Sequence, residues 1–308
     1  MKHQLKITAI ILGMFILTQL IGIYVVNSYS HVKIVNGDPV EVNAPPLPFG
    51  IDVPAPQQQS EFTQAFASII FAFMIAIFLL LMLTKFNAEM IIKLWFFVVV
   101  AIAIGISFNV FFVNTSIFLP GTLALSLGFI LSFLKIYKRG FIVHNFTELF
   151  IYPGIAAVFV PILNIYTIVI LLIIISIYDM WAVWHSGIMQ KMAKYQMDKL
   201  KVFSGFFVPY IPKNVKLKLQ KMKKSDLKKK RIKVNVAVLG GGDVVFPIIT
   251  AGVMIKTFGL FSAFLVVVGA ALGLSYLLFF SEKKKFYPAM PFITAGIFLG
   301  ILISYLIA

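Results

Sequence analysis

Long uncharged stretches dominate the sequence, and charged residues fall mainly in the gaps between them. A membrane-spanning helix needs about 20 mostly apolar residues. Clusters of Pro, Gly and Asn divide the double-length stretches into single spans. This pattern predicts nine spans, of which the fifth is short. They lie near residues 7–27, 62–84, 94–113, 117–134, 149–161, 165–186, 234–255, 258–280 and 287–307.

Composition supports a membrane protein. Of the 308 residues, 60% are hydrophobic and 12% are charged, against roughly 45–50% and 25% in soluble domains. Apolar stretches of this length favour helices, so the predicted fold class is an all-α polytopic membrane protein. The chain has no cysteine, which excludes disulfides, thiolate metal sites and cysteine nucleophiles. With only four scattered histidines as well, we expect neither a metal site nor a cofactor.

Basic residues set the predicted orientation, because cytoplasmic loops carry the excess of Lys and Arg. With the N-terminus inside, 25 of the 27 basic residues fall on the cytoplasmic side. The C-terminus of a nine-span chain then lies outside. This bias predicts a multi-pass protein with a cytoplasmic N-terminus and an extracellular C-terminus.

Two gaps between spans are long. Residues 28–61 are rich in Pro and predict an extracellular loop or short hairpin. Residues 187–233 hold fifteen basic residues and two acids, which predicts a cytoplasmic loop that contacts anionic lipid headgroups. Aromatic residues do not alternate with its lysines, so we expect no nucleic-acid partner. The apolar stretch 202–211 inside this loop is expected to lie along the membrane interface.

Two acids stand apart from the other nine, which lie in loops or near span ends. Asp179 and Asp243 have apolar sequence well to either side, where a carboxylate is costly and marks a candidate functional site. Asp179 lies 12 residues before Lys191, and Asp243 lies 10 residues after Lys233. In helices these spacings correspond to about 18 and 15 Å from the same basic loop. Two consecutive antiparallel helices would bring both side chains to one level.

No Lys or Arg lies near either acid in the sequence, so each is the obvious partner of the other. Two adjacent carboxyl groups in a low dielectric share one proton, which leaves one base and one acid. Aspartyl proteolysis requires this combination. Position alone leaves two alternatives open: protonated carboxyls bonded to helix carbonyls, and a proton- or cation-translocating site.

Three short motifs surround these positions. The sixth span contains Tyr178-Asp179, a YD pair. The seventh contains Gly240-Gly241-Gly242-Asp243, a GxGD motif. The ninth opens with Pro288-Ala289-Met290, close to a PAL motif. In this order within nine spans, the motifs resemble those of the presenilin and signal peptide peptidase family of intramembrane aspartyl proteases, most closely its archaeal presenilin homologues. The resemblance covers chiefly residues 165–308.

The resemblance implies a role for each motif residue. Asp179 and Asp243 would be the catalytic pair. Met290 replaces the usual Leu of the family, a volume-conserving change. Apart from the resemblance, the position of Tyr178 next to Asp179 would let it donate a hydrogen bond or shape the pocket, or it could be an ordinary packed tyrosine. The remaining residues that the resemblance places near the site, for shaping it or recognising substrate, are Gly240, Gly241, Gly242, Pro288, Ala289 and Met290.

The resemblance also implies a division of the chain and a setting. Residues 1–164 would form an N-terminal helical bundle, and residues 165–308 a catalytic part. The setting would be a prokaryotic, archaeal cell membrane, and the predicted orientation is similar to that of presenilin.

Three consecutive glycines weaken a helix by about 1 kcal/mol each, so the segment before Asp243 can unwind. An extended substrate segment could then bond to exposed backbone near the site.

The leading hypothesis is an intramembrane aspartyl endopeptidase that cuts transmembrane segments of other proteins with water and no cofactor. Its partners would be membrane-protein substrates and lipids. A homo-oligomer is compatible with the sequence, which names no accessory subunit. The alternative is a proton- or cation-coupled carrier or channel that uses the same Asp pair. A prepilin-peptidase-like protease shares the GxGD motif but places its partner acid differently.

Overall fold

The computed structural model describes residues 5–35, 37–53, 56–113, 115, 119–138, 140–186, 203–210, 235–281 and 287–307. Within these ranges, nine helices are long and apolar enough to cross a membrane, as predicted. They are α1 Leu5–Tyr29, α2 Gln59–Lys85, α3 Glu89–Val113, α4 Pro120–Phe133, α5 Phe141–Phe159, α6 Ile165–Trp181, α7 Gly241–Phe258, α8 Leu260–Phe280 and α9 Met290–Ile307. Two of them, α4 and α6, continue into π-helical turns, Leu134–Lys138 and Ala182–Ser186.

Within the described residues, four short strands form two antiparallel pairs. Strands β1 Val32–Val35 and β2 Asp38–Glu41 pair within the loop after α1, and a 3₁₀ turn, Pro48–Gly50, follows. Strands β3 Gly205–Tyr210 and β4 Asn235–Gly240 pair so that the first residue of β3 faces the last residue of β4. The stretch expected to lie along the interface is therefore mainly strand β3. The rest of the predicted basic loop lies outside the described residues.

Helix packing separates a central group of helices from a peripheral one. Helix α1 contacts α5, α7 and α8, and α8 runs closely along α9. The α8–α9 contact depends on glycine, because a Cβ at Gly269 would collide with the backbone of Gly296. Close approach through small residues is typical of helices in membranes. Helix α2, in contrast, buries only Ile69, so its apolar surface is left for lipid.

The fifth helix differs from its prediction. It begins at Phe141, whereas the sequence pattern placed its start near residue 149. Glu148 therefore lies inside a spanning helix and is fully buried, so the assignment of this acid to a span end was wrong. Its carboxylate pairs with buried Lys135 of the turn after α4. The hydropathy pattern missed this segment because polar residues that satisfy one another in the fold look like a loop in the sequence.

The seventh span also begins differently. Residues 235–240 are extended, and α7 starts only at Gly241. Asp243 therefore lies in the first turn of α7 rather than in the middle of a continuous helix. The helical depth estimate for Asp243 was wrong, because an extended residue advances about 3.3 Å and a helical one 1.5 Å. The glycine run lies at this strand-to-helix junction.

Candidate active site

Asp179 lies near the end of α6. The start of this helix is fixed by Asn164, whose side chain accepts a hydrogen bond from the backbone N–H of Thr167 at 3.0 Å. The carboxyl group of Asp179 is buried, with 7% of the residue exposed. It accepts a hydrogen bond from the backbone N–H of Met290 at 3.0 Å. A side chain of α6 thus caps the N-terminus of α9.

The PAL-like segment supplies the groups that face Asp179. The carbonyl of Ala289 accepts the N–H of Ile293 at 3.1 Å, so Ala289 occupies the N-cap position and Met290 is the first helical residue. The first N–H groups of a helix have no intrahelical partner and favour a nearby acid. Ala289 itself has no side-chain acceptor, and Asp179 supplies one from another helix. Pro288 and Met290 are buried beside this contact.

A second polar contact joins the same two helices. Ser176 Oγ donates to Thr294 Oγ1 at 2.9 Å, and both side chains are buried. Ser176 lies three residues before Asp179 and Thr294 four residues after Met290, so the two contacts lie about one turn apart. Together they fix how α6 and α9 are placed along each other.

Asp243 lies against the glycine run. A Cβ at Gly240 would be 3.1 Å from Asp243 Oδ2, and a Cβ at Gly241 would be 2.8 Å from Ser204 Oγ and 2.9 Å from Tyr152 Oη. Gly242 has more space, since its nearest neighbour would be the Phe246 ring at 3.7 Å. Gly240 and Gly241 therefore permit close packing, whereas Gly242 leaves the surface beside Asp243 open.

The structure brings the two predicted acids together. Helix α7 contacts both α6 and α9, and the carboxyl groups of Asp179 and Asp243 interact electrostatically. Among the described residues, the ion pairs join Lys93 to Glu89, and Lys135 and His144 to Glu148; neither Asp takes part. Two carboxyl groups without a cationic partner can act as one acid and one base.

Tyr178 is not brought to this pair. Its side chain is 49% exposed, and its ring lies 6.3 Å from that of Trp181. The neighbouring position in the helix turns it outward while Asp179 points inward. Its role in the site stays a prediction.

Two contacts near Asp243 were not predicted. Gln19 of α1 is fully buried and its Nε2 donates to the carbonyl of Val244 at 3.0 Å. Tyr152 of α5 packs against Gly241. A polar amide inside an apolar span is a signal that could have identified Gln19, but a single Tyr in a span carries no comparable signal.

The part of the chain that the structure describes contains no cluster of potential metal ligands. No group of three or more His, Asp or Glu side chains there could hold an ion.

The chain is similar in sequence and in structure to known membrane proteases. The sequence model of the family described as signal-peptide peptidase, presenilin aspartyl protease matches residues 40–308. The chain is also similar to two solved structures of a presenilin family intramembrane aspartate protease, in C222 and P2 space groups, each with a TM-score of 0.58. The first is 16% identical and the match covers 98% of this chain and 99% of that one. The second is 17% identical, with 97% of each chain covered. No curated protein matches the sequence significantly.

Proposed function

Because this chain belongs to the signal-peptide peptidase and presenilin family of aspartyl proteases, we propose that Asp179 and Asp243 are its catalytic pair. Membership in this family makes the protein an intramembrane aspartic endopeptidase. The nine candidate membrane spans among its described residues make it a multi-pass membrane protein. The proposed substrates are transmembrane segments of other membrane proteins. The observation that carries the proposal is the electrostatic interaction of two carboxyl groups, from α6 and α7, with no cation paired to either among the described residues.

The proposed reaction uses the two carboxyl groups as a unit. The ionised member takes a proton from a water molecule, and the resulting nucleophile attacks the carbonyl carbon of the scissile peptide bond. The protonated member donates a hydrogen bond to the carbonyl oxygen and then supplies a proton to the leaving amine. One proton enters the pair and one leaves it, so the pair again holds a single proton, now on the member that was ionised; transfer of that proton between the two carboxyl groups restores the starting state.

Strand β4 is the proposed docking edge for an unwound substrate, because the other edge of the hairpin is occupied. On the outer edge of β3, the carbonyl of Gly205 bonds to His144. Phe207 uses both its N–H and its C=O on Asn145, at 3.2 and 3.0 Å. Pro209 has no N–H to offer. An added strand would find no ladder of free groups there.

On the outer edge of β4, every second residue points its backbone N–H and C=O away from β3. In an antiparallel pair, every second residue points its N–H and C=O towards the partner strand. Since Phe207 faces outward and pairs with Val238, Val238 and Val236 also direct their backbone groups away from β3. Their side chains are 43% and 44% exposed. A substrate strand paired along this edge would lead to Gly240 and the adjacent Asp243.

The proposal extends the site beyond the predicted catalytic part. Pro288, Ala289 and Met290 would flank the bound peptide near Asp179, while Gly242 leaves room beside Asp243. The bundle predicted for residues 1–164 contributes as well, through Gln19 against α7 and Tyr152 against Gly241. We place the N-terminus on the cytoplasmic side from the distribution of basic residues.

The test is replacement of each acid separately, Asp179→Asn and Asp243→Asn, in protein reconstituted with a transmembrane substrate. Both variants should fold and neither should cleave, because an amide cannot exchange the proton. Asp52→Asn, at an exposed acid in the loop before α2, is the matched control and should cleave normally. Cleavage by either active-site variant would refute the proposal. Proton-dependent solute flux into liposomes without proteolysis would instead favour the carrier.

A further inference from the structure

A buried polar cluster lies where the end of α4 packs against α5, apart from the two acids of the proposed site. Its members are Lys135, His144 and Glu148, which are 4%, 7% and 0% exposed. Lys135 Nζ donates to Glu148 Oε1 and lies 3.3 Å from His144 Nδ1. His144 Nε2 lies 3.4 Å from the same carboxylate oxygen. Each of the three side chains thus contacts the other two.

The cluster determines which ring nitrogen of His144 carries the proton. A lysine ammonium paired with a carboxylate has only donors to offer. His144 Nδ1 therefore accepts from Lys135, and the proton resides on Nε2. Nε2 lies 2.8 Å from the carbonyl oxygen of Gly205 and donates to it. Lys135 thus orients a hydrogen bond from α5 to the first residue of β3.

The contact at Gly205 leads directly to the glycine run. Gly205 pairs with Gly240 across the β3–β4 hairpin. Gly205 has a φ of +138°, and a Cβ there would collide with the carbonyl of Leu239, so the two strands meet tightly at this point. Gly240 in turn lies against the carboxyl group of Asp243. A continuous series of contacts therefore runs from Lys135 through His144, Gly205 and Gly240 to Asp243.

Asn145, the next residue of α5, holds the same strand two residues further on. Its amide bonds to both backbone groups of Phe207. Strand β3 is thus attached to α5 by three directional hydrogen bonds rather than by apolar packing alone. These bonds fix the position of β3 along α5, because each one requires a particular distance and angle between donor and acceptor.

We propose that His144 is a positioning residue for Asp243, with Lys135 and Glu148 fixing its ring. The proposal rests on the catalytic role proposed above for Asp243. His144 acts through Gly205 and Gly240 and does not touch the reacting atoms. A buried ion pair adds little stability compared with apolar residues of the same size, so the value of the cluster lies in the geometry that it imposes.

The first test compares His144→Ala with His144→Gln. Glutamine places an amide nitrogen near the position of Nε2 and can still donate to Gly205, whereas alanine cannot. We expect kcat per folded molecule to fall at least tenfold in His144→Ala, with KM within twofold, and to return to within about threefold of wild type in His144→Gln. A merely structural role would lower the yield of folded protein without changing kcat per folded molecule. An unchanged kcat in His144→Ala would overturn the proposal.

A second pair of variants decides the matter if His144→Ala does not fold. Asn145→Ala removes both bonds to Phe207, and we expect the same selective loss of kcat. Asn164→Ala is the matched control, because it removes an Asn that caps α6 away from the β3–β4 hairpin; it should lower Tm and leave kcat per folded molecule unchanged. Equal kcat values in these two variants would mean that the attachment of β3 to α5 does not position Asp243, and this result would also overturn the proposal.

Failure of this inference can be told apart from failure of the proposed function. If Asp243→Asn is inactive while His144→Ala and Asn145→Ala cleave at the wild-type rate, only the positioning role is wrong. If Asp243→Asn still cleaves, both proposals are wrong.

Discussion

The capping contact of Asp179 predicts that alanine and asparagine at this position differ in stability, although neither is expected to support catalysis. Asparagine retains an oxygen that accepts the N–H of Met290, whereas alanine leaves that N–H buried without a partner. Replacing an N-capping side chain by Ala costs about 0.5–2 kcal/mol, and a buried orphan donor costs about 1–3 kcal/mol. We therefore expect Asp179→Ala to be less stable than Asp179→Asn by about 1–3 kcal/mol.

Thermal unfolding of the two variants in the same detergent measures this difference. Asp179→Ala should melt several degrees below Asp179→Asn. The same pair of substitutions at exposed Asp52 should differ by less than about 0.5 kcal/mol. Both Asp179 variants are expected to be inactive, so the loss of catalysis is the same in each. The difference between their melting temperatures therefore reports on the contact of Asp179 with the start of α9. Equal melting temperatures for the two would mean that Asp179 does not cap α9, and the geometry proposed for this side of the site would have to be abandoned.

Two further predictions concern the glycine run and the orientation. Gly241→Ala should destabilise the protein by about 1–3 kcal/mol, because its Cβ meets Tyr152, whereas Gly242→Ala has space and should be neutral or slightly stabilising; thermal unfolding that ranks them the other way would contradict the packing. Since the chain has no cysteine, a single Cys can be placed at Asp38 or at Lys138 and labelled in intact cells with an impermeant maleimide. The first should react and the second only after permeabilisation, and the opposite pattern would reverse the proposed orientation.

The sequence was sufficient to predict the number of spans found in the described residues, and it singled out the two acids of the proposed catalytic pair. Apolar stretches of about 20 residues have few other stable outcomes in a chain with so little charge. Asp179 and Asp243 were recognisable because a carboxylate inside such a stretch needs a reason to be there. Local information of this kind needs no knowledge of how the helices pack.

Contacts between distant helices were beyond the reach of the sequence. Asp179 and Met290 are 111 residues apart, and nothing in either segment specifies that α6 ends where α9 begins. Glu148 was assigned to a span end for a related reason. Its burial depends on Lys135, which lies on the preceding helix, and a hydropathy pattern counts two charges where the fold contains one neutral pair.

The extended segment before Asp243 bears on how a membrane protease gains access to a peptide bond. A transmembrane substrate that unwinds loses its internal hydrogen bonds, and each unpaired backbone group in an apolar setting is costly. The outward groups of Val236 and Val238 on β4 have the same need for partners. In the proposed docking mode, pairing the two would satisfy both sets of groups at once, so the free energy lost by unwinding would be largely regained at the edge that leads to Asp243. Because Asn145 and His144 already occupy the opposite edge of the hairpin, this exchange would be directed to β4. The attachment of β3 to α5 would then determine how accurately the bound peptide is presented to the two acids.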